Sequence, residues 1–424
     1  MDGITMGRFV FFNPHGYWFK KTVYAHFYPQ LPMYKKYQWI WDYFYQKNDR
    51  VYVYVNDHEL TLQGNGKKNL WKWVLLNGLN PLKIKVIPSL TELEPTDILF
   101  LFQLGSLNLQ YEPFSPPQQN IAELAACKAY KVMHLTHYGY HAEQASQYTR
   151  QAKIDLLISE NNLKKNSKIF QHYYKWYDKE VFVLPFVPEK RFQESTCFEQ
   201  RANKAIATGQ VQKSPEDIQR DFQLNALHPL RKIIFDHTED LAAEIDSRIT
   251  LYSPKTAFSD EDMTKKNTLF QKIAQCKYIY YINFIKKILY TYLGISAAHR
   301  AVQGYHFDIV ALMNRYTMIV HGKECMDLPP ISAFEGMLCG CALIAEKDAM
   351  YHDLGFEDGI SYIGVDGTPE DLKKKIKFYQ KNGDILREIA QKGKAQTEKL
   401  LAMDHIARLL TYCSREMQKI EHGS

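Results

Sequence analysis

Seven residues separate Asp327 from Glu335 in the stretch MDLPPISAFEGMLCGCALIAE, residues 326–346, so two carboxylates flank the start of a short helical pattern. Pro330 fits a first helical turn, where its missing N–H would have no partner anyway, and Gly340 fits the left-handed position that ends a helix. This spacing predicts a helix of about nine residues, roughly 13 Å long. Its free amides and positive dipole end form a cradle for a diphosphate around Ile331 and Ser332. A glutamate in such a helix is costly to bury unless its oxygens accept hydrogen bonds, and the paired hydroxyls of a ribose or a sugar supply two donors. Glu335 is therefore a candidate for holding a hydroxyl-rich ligand. The other reading of the same residue is a solvated or salt-bridged carboxylate.

The elements that must position these groups alternate along the chain. Strand-like runs stand at 7–12 (GRFVFF), 49–55, 82–87, 97–102 (DILFLF), 130–136 (YKVMHLT) and 153–159, then at 204–209 (KAIATG), 248–253, 316–322 (YTMIVHG), 341–346 and 360–365. Apolar strands separated by helical segments predict parallel sheets covered on both faces. The expected fold class is α/β, with two Rossmann-like doubly wound domains facing a central cleft. The proline-punctuated VFVLPFVPEKRF at 181–192 reads as the crossing between them. This gives a first Rossmann-like domain over 1–195, a second over 196–395, and a C-terminal helix over 396–424 that packs back toward the first domain. Thr368, Pro369 and Asp371 announce a helix start by N-cap, first-turn proline and capping-box contact. The aromatic YIYYINFIKKILYTYLG at 278–294 reads either as a buried helix or as an amphipathic helix at a bilayer interface.

Composition narrows the class of protein. A chain of 424 residues exceeds one ordinary core, and 46% hydrophobic with 24% charged residues indicates a folded protein. The net charge of +6 suits anionic small molecules or a membrane surface and falls short of the basic stripe of a nucleic-acid binder. Seven cysteines without C-x-x-C spacing argue against a disulfide framework and against a zinc site. The start MDGITMGRFVFF lacks a secretory pattern and no run of 18 apolar residues occurs, so the expectation is a cytoplasmic chain, free or peripheral on the membrane.

The order of Asp327, Glu335, a small-residue helix ending in Cys-Gly, an apolar strand and GISYIGVDGTPEDLKKKI resembles the donor-binding half of retaining glycosyltransferases of the two-domain GT-B fold, in particular those related to spore-maturation glycosyltransferases. The resemblance is good over 316–395 and loose elsewhere. It implies that Glu335 accepts hydrogen bonds from the nucleotide ribose and that Asp327 lies at the donor sugar. Aspartate stands here where the family has glutamate, and MDLPP replaces the usual EGFG. The resemblance also points to His137, at the end of YKVMHLTHYGYHAEQ, as a histidine offered to the donor sugar or its phosphate; His134 lies within the strand and His141 beyond the loop. A surface or helix-capping histidine is the alternative. Asn13, His15 and Gly16 occupy the loop after the first strand, where the fold brings a glycine-containing loop to acceptor and phosphates, or else form an ordinary turn. For the leaving diphosphate, ATGQVQKSPED offers Gly209 and Lys213 but Gln210 in place of the family's arginine, with Arg231 as a substitute cation or a surface residue.

The implied function is transfer of a sugar from a nucleoside diphosphate sugar to a glycan or lipid-linked acceptor, as in cell-surface polysaccharide synthesis, with retention of configuration. No cofactor or metal is expected, the one Asp-x-Asp-like run, at 259–263, reading as loop. The alternatives are a non-catalytic nucleotide-sugar-binding protein, or an epimerase or phosphorylase on the same architecture.

Overall fold

The computed structural model describes residues 7–14, 37–56, 66–76, 78–103, 118–135, 138–251 and 308–421. His15, Gly16 and His137, the 259–263 run and the aromatic segment 278–294 lie outside the described residues.

Two parallel sheets carry the molecule. The first has the order β3-β2-β1-β4-β5-β6-β7, built from Phe9–Phe12 (β1), Val51–Tyr54 (β2), Ile84–Ile87 (β3), Ile98–Phe102 (β4), Tyr130–His134 (β5), Leu156–Ser159 (β6) and Phe182–Val183 (β7). The second has the order β12-β11-β10-β8-β9, from Ala202–Val211 (β8), Ile245–Leu251 (β9), Tyr316–Val320 (β10), Ala342–Glu346 (β11) and Ile363–Val365 (β12). Both orders are those of doubly wound α/β sheets, in which the winding reverses at one point and leaves a crevice at the strands' C-terminal ends. In the first sheet the reversal falls between β1 and β4, and in the second between β8 and β10. The expected α/β class with two Rossmann-like sheets is what the chain forms.

The period-two rule of strands explains how the apolar runs cover both faces. Phe11, Phe100 and Val132 enter one core while their neighbours Val10, Phe12, Leu99, Leu101 and Met133 enter another. The first of these cores does not stop at the domain boundary. It runs from Phe11, Trp41 and Phe100 through Phe186 and Phe192 of the crossing segment to Ile319, Phe334 and Leu343 of the second sheet. Ile406, Leu409, Cys413 and Met417 of the last helix, His405–Glu421, join the same core. That helix lies against the first domain, where Tyr412 packs 5.4 Å from Phe182 and Asp404 sits 3.8 Å from Lys47. The preceding helix, Gly383–Ala402, passes through residue 396, so the helical break falls at Met403 and Asp404 rather than at the expected boundary.

The helix predicted around Glu335 spans Ile331–Leu338. Pro330 sits one residue earlier than expected, as the extended N-cap at ψ 134°. Gly340 takes the left-handed conformation, φ 84°, that turns the chain into β11. Thr368 caps Pro369–Lys381 by accepting from the Asp371 amide at 3.2 Å, while the Asp371 carboxylate reaches back to the amide of Asp366 rather than to that of Thr368. Among the described residues no helix is long and apolar enough to cross a membrane.

Candidate functional site

The crevice at the reversal of the second sheet is bordered by the ends of β8 and β10. At β8, Gly209 adopts φ 120°, and a Cβ built there would stand 2.6 Å from the guanidinium carbon of Arg231. Arg231, on the helix Pro229–Asp236, donates to the Gln210 carbonyl at 3.0 Å. The guanidinium of Arg231, 21 positions after Gln210 in the chain, thus lies across Gly209. Lys213 is exposed beyond the strand, in a bridge with Ala226. Gly209→Ala is expected to destabilise the fold by about 1–2 kcal/mol from backbone strain and to push Arg231 from its place. Wild-type thermal stability in that variant would contradict this close packing.

β10 ends at Val320, and His321, Gly322 and Lys323 follow at the crevice. His321 is buried, with Nδ1 3.2 Å from the Ser332 hydroxyl and Nε2 without a hydrogen-bond partner. Burial, then the nearby Arg231 and His228, hold its pKa well below the ordinary histidine value, so the ring is neutral at pH 7. Ser332 is thus fixed in the first turn of the Glu335 helix, with the half-buried Ile331 before it.

Lys323 binds two carboxylates, Asp327 at 2.6 Å and Asp348 at 2.5 Å, and its amide donates to Glu346 at 3.2 Å. Burial alone would lower its pKa, but the two aspartates outweigh it and hold the ammonium above the usual lysine range. Asp327, expected at a donor sugar, is therefore held by a cation within its own loop, and it is a left-handed residue at φ 58°. Replacing Lys323 by Met leaves two partly buried carboxylates without their shared cation. The expected cost is on the order of 2 kcal/mol, read by denaturant unfolding; an unchanged midpoint and slope would refute it.

Glu335 is 5% exposed and sits one turn after Ser332. Burial raises its pKa to about 8; Arg191 opposes the rise and Glu189 adds to it. Arg191 and Glu189, which pair at 3.0 Å, come from the crossing between the domains. The linker thus supplies the charges that face the helix.

On the first domain, Asn13 is left-handed at φ 48°, and its side chain accepts from the Asn56 amide at 3.0 Å, tying the β1 loop to the end of β2. Of the histidines weighed near β5, His134 is fully buried, 3.8 Å from Glu160, to which the Tyr37 hydroxyl donates. The His134 side chain has no exposed surface in this structure. His141 takes φ 49° at the start of the helix Ala142–Gln151.

The structure brings Gly209, Arg231, Ser332 and Asp327 to the edge where β8 and β10 end, with Glu335 a turn below, and leaves Lys213 exposed beyond the end of β8. Sequence reasoning missed His321, Lys323 and Arg191. His321 falls at the end of the strand-like run expected at 316–322 and Lys323 directly follows that run, and the rule that α/β ligands lie at strand C-termini points at HGK. Arg191 had no such signal.

No curated protein sequence matches the chain. Among solved structures, it is similar to Anabaena HepE, solved in complex with UDP, at 14% identity over 99% of this chain and 100% of that one, with a TM-score of 0.47. It is also similar to a glycosyltransferase from Rickettsia africae, at 10% identity over 98% and 99% and TM-score 0.46, and to sucrose-phosphate synthase from Thermosynechococcus elongatus, at 11% over 88% and 90% and TM-score 0.42. Residues 291–411 match the family model described as Glycosyl transferase-like, a span that contains β10 to β12, Lys323, Asp327 and the helix carrying Glu335.

Proposed function

We propose that the chain is a glycosyltransferase that binds a nucleoside diphosphate sugar in the crevice between β8 and β10 and transfers the sugar to a glycan or lipid-linked acceptor presented by the first domain. The observation that carries this reading is Glu335: a nearly fully buried carboxyl on the helix that opens at the crevice, its pKa raised to about 8 by burial. A pair of ribose hydroxyls donating to it would stabilise the charged form that burial disfavours. Arg231 at Gly209 is placed for the diphosphate, and the Lys323–Asp327 pair for the sugar end.

In the reaction, the anomeric carbon–oxygen bond to the diphosphate breaks and a bond to the acceptor oxygen forms. Arg231 offsets the charge that develops on the departing phosphate, which can itself accept the acceptor's proton. Retention of configuration, a hexosyl donor and a cell-surface acceptor follow from the resemblance. These cationic side chains also favour metal-independent binding: EDTA is expected to leave nucleotide affinity unchanged.

The test is thermal-shift screening against UDP, GDP, ADP, CMP, dTDP and their sugars. A ligand at 100 times its Kd should stabilise the fold by about 2.7 kcal/mol. A selective rise that disappears in Glu335→Ala supports the donor site, and no response to any member refutes it. Because the Asp327 carboxylate is already engaged by Lys323, a non-catalytic nucleotide-sugar-binding protein is the second reading. Nucleotide-sugar binding without release of nucleoside diphosphate, across a panel of sugar acceptors, would favour it.

A further inference from the structure

The loop bearing Asp327 belongs to the second domain, yet the first domain grips it. The Asn161 side-chain amide, just beyond β6, donates to the Asp327 carbonyl at 2.8 Å. The Tyr138 hydroxyl, in the turn after β5, reaches the Met326 carbonyl at 3.0 Å and the Ser167 hydroxyl at 2.8 Å. Met326 and Leu328, 0% and 1% exposed, are packed in the core on one face of the first sheet together with Leu99, Met133 and Leu157. Met326 leaves no space beside Gly139, where a Cβ would stand 2.7 Å from its sulfur. On the other side of the contact, Asn166 donates to both Asn161 at 2.8 Å and Asp353 at 2.9 Å, and Lys165 pairs with Asp353 at 2.6 Å.

Within its own domain the loop is held by main-chain bonds from Asp327 to Glu324, from Glu324 to Leu328 and from Cys325 to Leu227. Asp327 holds a left-handed backbone, which aspartate tolerates better than most residues with a Cβ but still at some cost, so contacts that fix its two flanking carbonyls help to hold it there. That conformation decides where the Asp327 carboxylate meets Lys323. The main-chain carbonyls on either side of the Met326–Asp327 bond are the ones the first domain holds.

We propose that Asn161 and Tyr138 are positioning residues for the sugar end of the donor: they clamp Met326–Asp327 across the domain boundary and so set the Asp327–Lys323 pair, while the nucleotide end of the site forms without them. This rests on the donor-site reading above. It predicts that the two domains must be docked for the sugar, but not the nucleotide, to be recognised.

Asn161→Asp separates this role from packing. The carboxylate keeps the side chain's size and still accepts from Asn166, but it cannot donate to the Asp327 carbonyl. In the full chain, hydrogen exchange at residues 324–328 is expected to be at least about tenfold faster in Asn161→Asp and in Tyr138→Phe than in wild type. With UDP and UDP-glucose as calorimetric probes, UDP affinity should stay within about twofold, whereas the extra affinity conferred by glucose should be lost. Wild-type exchange in both variants would overturn the proposal. Equal weakening of the two probes would overturn it too, because it would make the contacts general supports of the fold. If the wild-type chain binds neither probe, the donor reading with uridine nucleotides fails, while exchange still decides whether the clamp exists.

Discussion

Glu335→Gln is expected to stabilise the fold and to weaken nucleotide binding. The carboxyl of Glu335 has its pKa raised to about 8 by burial, against about 4.3 in an unfolded chain. Between these values the folded state holds a proton that the unfolded state has released. Stability from this site is therefore complete below about pH 4.3, falls as pH rises toward 8, and is at its lowest above that. Glutamine carries no charge to bury. At pH 9 the variant should exceed wild type by on the order of 3–5 kcal/mol, with the two converging near pH 4. Urea unfolding at several pH values measures this, and equal stability at pH 9 would show that the Glu335 carboxylate is well solvated after all. Binding should move the other way, because a neutral amide loses the charged acceptor for the ribose: a loss of about 10- to 100-fold in nucleotide affinity. In wild type, affinity should weaken about tenfold for each pH unit below 8, with proton release on binding. Those two signatures together are hard to obtain from a carboxylate with a purely structural role.

The second large effect concerns Arg231. Its guanidinium lies across Gly209 and is tied to the Gln210 carbonyl at the point where the second sheet reverses. Arg231→Ala should weaken a nucleoside diphosphate by about 10- to 100-fold, the range for losing a hydrogen bond to a charged group, and leave the corresponding nucleoside unaffected. If the chain turns over, the rate should fall further than the affinity, by about 10²- to 10³-fold, since charge on the leaving phosphate is greater in the transition state. Removing the cation should also raise the His321 pKa, which Arg231 now helps to depress. Calorimetry with UDP and with uridine separates the cases: equal losses for both would move Arg231 from the phosphate site to the scaffold.

Much of the architecture was legible in one dimension. Strand runs such as DILFLF and YKVMHLT pointed to sheets buried on both faces, because alternate side chains of a strand face opposite sides and apolar residues such as Ile98, Leu99, Val132 and Met133 occupy both. Gly340 and Thr368 announced their roles because a left-handed turn and a helix N-cap depend on the residue itself and its immediate neighbours. The same locality made the Glu335 helix readable to within a residue, with Pro330 moving from its first turn to its cap.

The remainder belongs to the tertiary structure. Which cation lies at Gly209 is decided by the packing of the helix Pro229–Asp236 against β8 and β9, far along the chain from the motif. That Asp327 binds Lys323, four residues earlier in a loop without helical repeat, follows from a left-handed turn that its type alone does not demand. The ionisation of Glu335 depends on its burial and on Arg191 and Glu189 of the interdomain crossing, and the Asp327 loop depends on Asn161 and Tyr138 of the other domain. Sequence determined the strands, the helix and the acid on it, because these express propensity and periodicity over a few residues. Only the folded chain decided which charges meet, because charge pairing is a matter of distance through space.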